Sequence, residues 1–389
     1  MSPSSIHGLP TEILVLIFDY GGHLCLHEEG LPFAVKASHV SRQWRDVALG
    51  TPFVWSGIPV HPSRPTLTDH YLARSENSPL DVYFHFKKQV KVGEALTHLL
   101  RHRRRWRNLY VDAGTGGVVF VVILSLKDAG SSLPILQHFE LNFTGKPTTI
   151  GRLPEIFTDS TPPKLCSLTM RGTSFNMLSP VFRNATQLDL SFLPRDMGNP
   201  TFSTFNLLMS GLTNLTHLKL ASVFPKLIEG VDYGSIELPL LHTLELIMHK
   251  EEDYVPLFFS IICAPTLHTL RFESKWSTTW DGFLSCVDIT SATFANLQNL
   301  ALTMTMSAMP DSVTVYPELF MGFPELKILS LSAFHDDLIM RVFLWPWMHI
   351  CDVGDMNPLD DYERIVFYDF SNMAIWPNLE LLVRRLWMS

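Results

Sequence analysis

The chain has 389 residues, a net charge of −8 at neutral pH and a hydrophobic fraction of 46%. This length exceeds what one compact core usually holds, so it favours two domains or an elongated repeat array. The charged fraction of 17% is too low for a disordered chain, and the acidic balance argues against a general nucleic-acid binder. We expect the basic run RHRRRWR at 101–107 to be a solvated edge.

The cysteine pattern and the lengths of the apolar runs indicate the cellular compartment of the protein. The five cysteines are scattered and include no CxxC pair, which predicts reduced thiols rather than disulfides or a zinc site. The N-terminus lacks the basic start of a signal peptide, and no apolar run reaches the ~20 residues of a membrane-spanning helix. We therefore expect an intracellular protein, cytoplasmic or nuclear, without a membrane partner.

Residues 9–22, LPTEILVLIFDYGG, predict a first short helix. Pro10 and Glu12 suit its first turn, and the Gly-Gly pair at 21–22 suits its end. The stretch 13–18 is apolar all the way round, which indicates burial on several sides.

A second helix is predicted to open at Pro32, because large apolar residues then repeat at spacings of three and four. They are Phe33, Ala37, Val40, Trp44 and Val47. Gly50 and the Thr-Pro pair at 51–52 predict its end, and FVW follows at 53–55. These helices carry more apolar surface than so small a unit can bury by itself, so part of it must meet something else.

The order of motifs across residues 9–55 resembles an F-box, the helical module that docks onto the adapter subunit of cullin-RING ubiquitin ligases. The matching segments are LP-x-EIL-x-x-IF, V-x-R-x-WR-x-x-A and P-x-x-W. TPFVWSGI at 51–58 and YLARSENSPLDV at 71–82 are similar to the F-box-like proteins of mushroom-forming fungi. Two departures are the long loop at 21–31 and Ser41, where a cysteine is common.

The resemblance implies an F-box-like module at residues 1–58 and indicates which residues form its adapter-facing and internally packed surface. By position these are Leu9, Pro10, Ile13, Leu14, Ile17, Phe18, Val40, Trp44 and Trp55. An alternative is that the same helices only pack within a larger N-terminal domain.

Residues 59–105 predict a linker or N-terminal cap for the domain that follows. TLTDHYLARS at 66–75 predicts a helix, and a second short helix is predicted around 92–100. Between them, LDVYFHF at 80–86 alternates apolar and polar residues, as a half-buried strand does.

From residue 106 onward the chain repeats the pattern L-x-x-L-x-L or a near match. The clearest copies begin at 136, 165, 215, 241, 267, 297 and 326, with a weaker one at 185, so successive copies lie 20 to 30 residues apart. WRNLYV at 106 and NLELLV near 379 extend the series. This pattern matches leucine-rich repeats, in which each unit supplies one strand and stacked neighbours close a continuous core. Leucine-dense α/β units of ordinary type are the alternative.

The predicted fold class is therefore α/β: a small all-helical F-box-like module, then an irregular leucine-rich-repeat solenoid with a curved parallel sheet and helices on its outer face. The solenoid is predicted over 106–389, with an irregular C-terminal cap from about 335. Residues that alternate with the core leucines should line the concave face, where such proteins usually bind. These candidate target-binding residues are His138, Glu140, Thr169, Arg171, Asp189, His217, Lys219, Glu245, Arg271, Glu273 and Asn299. Their mixed charge favours a protein or peptide target over a polyanion.

No catalytic motif is present. The sequence lacks G-x-S-x-G, H-E-x-x-H and P-loop patterns and any recognised metal-ligand spacing, so we predict no enzyme activity, cofactor or metal. The resemblance implies a substrate-recognition subunit of an SCF-type cullin-RING ubiquitin ligase, with the box on the adapter and the repeats on an unidentified target protein. A ligase-independent interaction scaffold and an enzyme with a diffuse site are the alternatives.

Overall fold

The structure is a computed structural model of the chain. It describes residues 9–24, 33–60, 65–86, 92–127, 132–145, 155–157, 162–173, 178, 182–191, 199–248, 255–274, 279, 282–283, 295–304, 323–332 and 381–385. The chain divides into two units: unit 1 comprises residues 1–182 and 194–197, and unit 2 comprises residues 183–193 and 198–389. Among the described helices, none has both the length and the apolar character that crossing a membrane requires.

Unit 1 begins with three short helices and a 3-10 turn. They are α1 (Thr11–Leu24), α2 (Phe33–Ser38), α3 (Arg42–Leu49) and the turn Pro52–Trp55. The predicted end of α1 was wrong, because the helix runs through Gly21 and Gly22 instead of stopping there. A Cβ atom on Gly21 would overlap the ring of Phe33, so this glycine allows close packing against the helix rather than ending it.

The second predicted helix is in fact two helices, because the chain turns at residues 39–41. Ser41 has extended backbone, and its hydroxyl accepts a hydrogen bond from the Trp44 N–H at 3.2 Å, which caps the start of α3. Gly50 lies at the end of α3 as predicted, and its N–H donates to the Asp46 carbonyl oxygen at 2.9 Å. The apolar spacing continues across the break, so periodicity alone does not reveal it.

The three helices share a core around Phe18. This side chain is fully buried, and its ring centroid lies 5.0 Å from that of Trp44 and 6.2 Å from that of Phe33. Gln43 of α3 donates a hydrogen bond from Nε2 to the carbonyl oxygen of Leu9 at 3.3 Å, which links α3 to the residues just before α1. Part of the apolar surface of α1, α2 and α3 is thus buried where these three helices pack against one another.

Trp55, at the end of the 3-10 turn, connects the three N-terminal helices to the rest of unit 1. Trp55 donates from Nε1 to the Ala48 carbonyl oxygen at 2.7 Å, and its ring meets the Tyr71 ring edge-on at a centroid distance of 5.1 Å. The Arg74 guanidinium lies 4.4 Å over the same indole. Tyr71 and Arg74 belong to α4 (Pro65–Arg74). Residues beyond the box therefore complete the burial of Trp55.

The described strands of unit 1 form a parallel sheet whose order follows the chain. They are β1 (Gly57–Val60), β2 (Leu80–Phe86), β3 (Trp106–Ala113), β4 (His138–Phe143) and β5 (Ser167–Arg171). Helices α4, α5 (Val92–Leu100) and α6 (Gly116–Leu126) lie in the crossovers between successive strands. The strand predicted at 80–86 and the helix predicted around 92–100 are confirmed.

Unit 2 continues the same pattern. Its strands are β6 (Gln187–Ser191), β7 (His217–Ala221), β8 (Ile236–Glu237), β9 (Thr243–Met248), β10 (Ile262–Cys263), β11 (Thr269–Ser274), β12 (Asn299–Met304), β13 (Ile328–Ser332) and β14 (Leu381–Arg385). Strands β8 and β10 pair with each other, and the rest form a parallel sheet in chain order. Helices α7 (Phe202–Gly211) and α8 (Val255–Ile261) lie in two of the connections.

Each predicted repeat supplies one strand, and the core leucines of the copies that begin between 136 and 326 are buried. Leu241, Leu244 and Leu246 of one copy are 0% exposed, as the repeat pattern requires. The α/β class, with N-terminal helices followed by a parallel sheet of leucine-rich-repeat type, is therefore confirmed. The predicted C-terminal cap from about 335 lies outside the described residues, apart from strand β14.

Candidate protein-interaction surfaces

Helix α1 has two apolar faces, and they differ in exposure. Leu14 and Phe18 on one face are 0% exposed. The other face presents an apolar stripe whose members lie three, four and seven residues after the first, which is the spacing of one helix face. This α1 ridge consists of Ile13 (42% exposed), Leu16 (63%), Ile17 (38%) and Tyr20 (70%). Such a contiguous exposed apolar stripe is typical of a surface that binds a partner.

The residues predicted to face an adapter divide between core and surface. Four are buried in unit 1: Leu14, Phe18, Trp44 and Trp55. Four are exposed, namely Pro10, Ile13, Ile17 and Val40, and Leu9 is half-buried. Leu16 and Tyr20 are not among the predicted residues, although their spacing from Ile13 identifies them once the buried face of the helix is known. The four buried residues are not accessible to a partner of the folded domain.

A second candidate surface is the polar face of the unit 1 sheet, formed by side chains that alternate with the buried core. The structure brings together three of the predicted target-binding residues here. One carboxylate oxygen of Glu140 lies 3.6 Å from His138 Nε2, and the other lies 3.6 Å from Arg171 Nη1. Thr169 is in register with Glu140 on β5 but is buried. This group spans β4 and β5.

The polar face also has an aromatic part, which is not among the residues predicted from the sequence. The Tyr83 and Tyr110 rings stack at a centroid distance of 4.5 Å and an interplanar angle of 6°, and the His138 ring lies 5.0 Å from that of Tyr110. Burial, the largest cause, raises the pKa of both tyrosines, whose hydroxyls also hydrogen-bond to each other. Both hydroxyls therefore stay neutral at physiological pH. The alternation in LDVYFHF and WRNLYV already places both rings opposite the core.

A buried carboxylate lies beside the aromatic rings. Asp81 is 1% exposed, and Arg107 donates to its two oxygens from Nε and Nη2 at 3.0 and 2.6 Å, while Asn108 Nδ2 donates at 2.8 Å. A register shift between β2 and β3 follows Leu80 and leaves Arg107 between paired residues. Hydrogen bonding to Asp81 raises the pKa of Arg107, against the opposing effect of burial. This pair is neutralised internally and fixes the two strands.

The polar face of unit 2 carries a row of alternating charges. Asp189, Lys219, Glu245 and Arg271 lie in register on four adjacent strands. Arg271 donates from Nη1 to Glu245 Oε1 at 3.2 Å, and Lys219 Nζ lies 3.9 Å from Glu245 Oε2. The remaining predicted residues of this face are His217, Glu273 and Asn299. Glu245 is therefore paired with both Arg271 and Lys219 inside unit 2.

The polar contacts found on these surfaces do not assemble a metal site. Within the described residues, no group of three or more histidine, cysteine, aspartate or glutamate side chains is placed to hold a metal ion. His85 Nδ1 and the Asp112 carboxylate, 2.8 Å apart, form a pair across β2 and β3. Such a pair supplies polar contacts for a ligand but lacks the third ligand that metal sites usually have.

Comparison with known proteins identifies the N-terminal part of the chain. Residues 6–58 match the family model described as F-box-like. No curated protein matches the chain. A solved structure titled "Crystal structure of TLR13-ssRNA13 complex" is similar at 17% sequence identity and a TM-score of 0.38, over 72% of this chain and 37% of that chain. The present chain thus spans little more than a third of the length of that protein.

The matched segment contains the Phe18–Trp44 core, the buried Trp55 and the α1 ridge. F-box domains are protein-interaction modules that generally bind the adapter subunit of SCF complexes, and F-box and leucine-rich-repeat families are generally not enzymes. The protein therefore carries an F-box-like domain at residues 6–58, followed by a parallel-strand array of leucine-rich-repeat type.

Proposed function

We propose that this protein is the substrate-recognition subunit of an SCF-type cullin-RING ubiquitin ligase. The F-box-like domain would bind the ligase adapter, and the repeats would hold a target protein. Ubiquitin transfer would be carried out by the associated ligase, so this chain would act by proximity, holding two partners at high effective concentration.

The α1 ridge is the observation that carries this proposal. It lies within the segment that matches the F-box-like family, and it exposes four large apolar side chains on a helix whose opposite face is already packed. Burying an apolar side chain of this size contributes roughly 1.5–3 kcal/mol. A helix that presents such a stripe in an i, i+3, i+4, i+7 arrangement is suited to an apolar groove on a partner.

The packing of Trp55 supports a receptor in which the two binding functions are mechanically linked. Its indole contacts Ala48 of the box and Tyr71 of α4, and strand β1 begins two residues later. The box and the unit 1 sheet therefore share a core instead of being joined by a flexible linker. A target on that sheet would be held in a restricted position relative to the adapter.

The same packing also fits the alternative of a ligase-independent scaffold. In that case the box would serve only as an N-terminal cap for the sheet, and no adapter would be recruited. The exposure of the α1 ridge favours the receptor, because a cap needs only the buried face of α1.

Co-expression of the full chain with the cognate adapter tests the proposal. We expect the adapter to copurify with the parent protein and not with the Ile17→Asp variant, which places a charge in the α1 ridge. Leu124→Asp is the matched control, because Leu124 is an exposed apolar residue of α6 in the same unit, 53% exposed. Failure of the parent protein to retain the adapter would leave the scaffold as the better account.

A further inference from the structure

The polar face of the unit 1 sheet carries a ring cluster that the leucine core does not require. Tyr83, Tyr110 and His138 stand side by side on β2, β3 and β4, with neighbouring ring centroids 4.5 and 5.0 Å apart. All three are partly exposed. Two carboxylates lie next to them, because Glu140 pairs in register with Tyr110, and Asp112 follows Tyr110 by two residues on β3.

Stacking covers ring faces within the cluster, and the two tyrosine hydroxyls bond to each other, so the ring edges are the parts that a ligand would contact. Stacking also fixes the side chains before binding, which lowers the entropy cost of recognition. Rigid tyrosines supply both apolar contact area and hydrogen bonding, and they are enriched among the residues that dominate protein interfaces. The cluster therefore has the properties of a preorganised recognition site.

The charge around the cluster indicates what kind of group it accepts. Asp81 is already neutralised by its two hydrogen bonds from Arg107. Asp112 and Glu140 are the other carboxylates of this face. Asp112 lies 2.8 Å from His85 Nδ1 and accepts a hydrogen bond from Asn142 Nδ2 at 3.4 Å. Glu140 lies 3.6 Å from both His138 Nε2 and Arg171 Nη1, and Arg171 carries the one guanidinium beside these two carboxylates on the described part of the face. Among the carboxylate and guanidinium groups on the described part of this face, the carboxylates are in excess by one, which is complementary to a cationic side chain.

We propose that this ring cluster binds a segment of a target protein through one lysine or arginine side chain. Its nitrogen donors would be held by the carboxylates of Asp112 and Glu140, which lie on adjacent strands in diagonal register. Its aliphatic stem would lie along the edges of Tyr83 and Tyr110, as long basic side chains commonly do on apolar surfaces. Naming this ligand as a ubiquitylation target rests on the proposed ligase function, whereas the recognition chemistry itself does not.

Peptide selection on the full-length protein tests this inference. Random twelve-residue peptides displayed on phage are selected on the parent protein, and the enriched peptides are synthesised and their affinities measured. We expect them to share a lysine or arginine at one position. We also expect the Asp112→Asn/Glu140→Gln variant to bind them at least about tenfold more weakly, the loss typical of a hydrogen bond to a charged group.

A matched variant controls for the loss of two charges. Asp69→Asn/Glu76→Gln removes the same two groups from exposed positions on and just after α4, and Asp69 contacts His98 at 3.0 Å much as Asp112 contacts His85. This variant should bind the peptides as the parent does. Far-ultraviolet circular dichroism checks that each variant is folded. A second variant, Glu140→Lys, should bind peptides in which the shared basic residue is replaced by glutamate.

Three results would overturn the inference: no enrichment over a protein-free matrix, an acidic residue at the shared position, or undiminished binding by the Asp112→Asn/Glu140→Gln variant. Adapter copurification is measured on the same preparations. Retained adapter with failed peptide recognition rejects the ring-cluster site alone. Peptide recognition without adapter rejects the ligase function alone.

Discussion

The indole nitrogen of Trp55 donates a hydrogen bond to the carbonyl oxygen of Ala48 at 2.7 Å. This contact joins the last turn of the F-box-like domain to the end of α3, and Tyr71 and Arg74 cover the same indole from α4. The box is therefore stabilised by residues that lie outside the family match.

Substitution of Trp55 should destabilise unit 1 in two distinguishable steps. Trp55→Phe keeps an aromatic ring but leaves the Ala48 carbonyl without its donor, which should lower the free energy of unfolding by about 1–3 kcal/mol. Trp55→Ala also creates a cavity and should cost about 3–5 kcal/mol. Urea unfolding of the full chain measures both. Equal losses for the two variants would show that the hydrogen bond, and not ring packing, dominates.

The serine at position 41 should act as a helix cap. Ser41→Ala removes the acceptor of the Trp44 N–H and should lower stability by about 1 kcal/mol, measured as a lower melting temperature. Ser41→Asp retains a good capping oxygen and is the control, expected to melt near the parent. If Ser41→Ala melts like the parent, the break between α2 and α3 is not held by this bond.

The ion pair between the buried Asp81 carboxylate and the half-buried Arg107 should be sensitive to loss of the guanidinium. Arg107→Met leaves the Asp81 carboxylate, 1% exposed, without its bidentate donor and should cost about 3–5 kcal/mol. Replacing both residues, as Asp81→Leu/Arg107→Met, should recover part of that loss because no uncompensated charge remains. Urea unfolding of both variants checks the order. A double variant less stable than Arg107→Met would contradict it.

Stability should fall at alkaline pH because of three tyrosines. Burial raises the pKa values of Tyr71, Tyr83 and Tyr110. Above about pH 10 tyrosines lose their protons in the unfolded chain while these three keep theirs in the folded protein. The unfolded state then binds fewer protons, so the free energy of unfolding decreases as pH rises.

Unfolding at a series of pH values from 8 to about 11 measures this slope. Tyr83→Phe/Tyr110→Phe should flatten it, because phenylalanine has no proton to lose. Tyr20→Phe changes an exposed ring, 70% exposed, and is the control. An equally steep fall in the Tyr83→Phe/Tyr110→Phe variant would mean that other groups cause the alkaline loss.

The hydrophobic periodicity predicted the strands of the repeats correctly but did not reveal every helix boundary. Every L-x-x-L-x-L copy supplies a strand, because the leucine spacing directly reflects which strand positions face the core. The turn at 39–41 was missed, because the apolar spacing runs on across it and Ser41 shows its capping role only through the position of the Trp44 N–H.

The candidate sites depend on which face of α1 is buried and on which strands pair, and the sequence pattern does not show either. Helix α1 is apolar on both sides, so the sequence could not distinguish the buried Phe18 from the exposed Leu16. Tyr83 and Tyr110 were recognisable as non-core residues, but the strand at 80–86 lacks the leucine motif and was not assigned to the same sheet. Only the strand pairing shows that these rings stack and lie next to His138.

The affinity of the purified full chain for the cognate adapter tests the receptor function most directly. Isothermal titration calorimetry of the parent protein, Ile17→Asp and Leu124→Asp compares a charge in the α1 ridge with a charge on the exposed face of α6. We expect binding by the parent and by Leu124→Asp, and at least about tenfold weaker binding by Ile17→Asp, because a central apolar anchor commonly contributes more than 1.4 kcal/mol. Adapter binding by Ile17→Asp as tight as that of the parent would contradict the assignment of the α1 ridge as the adapter surface.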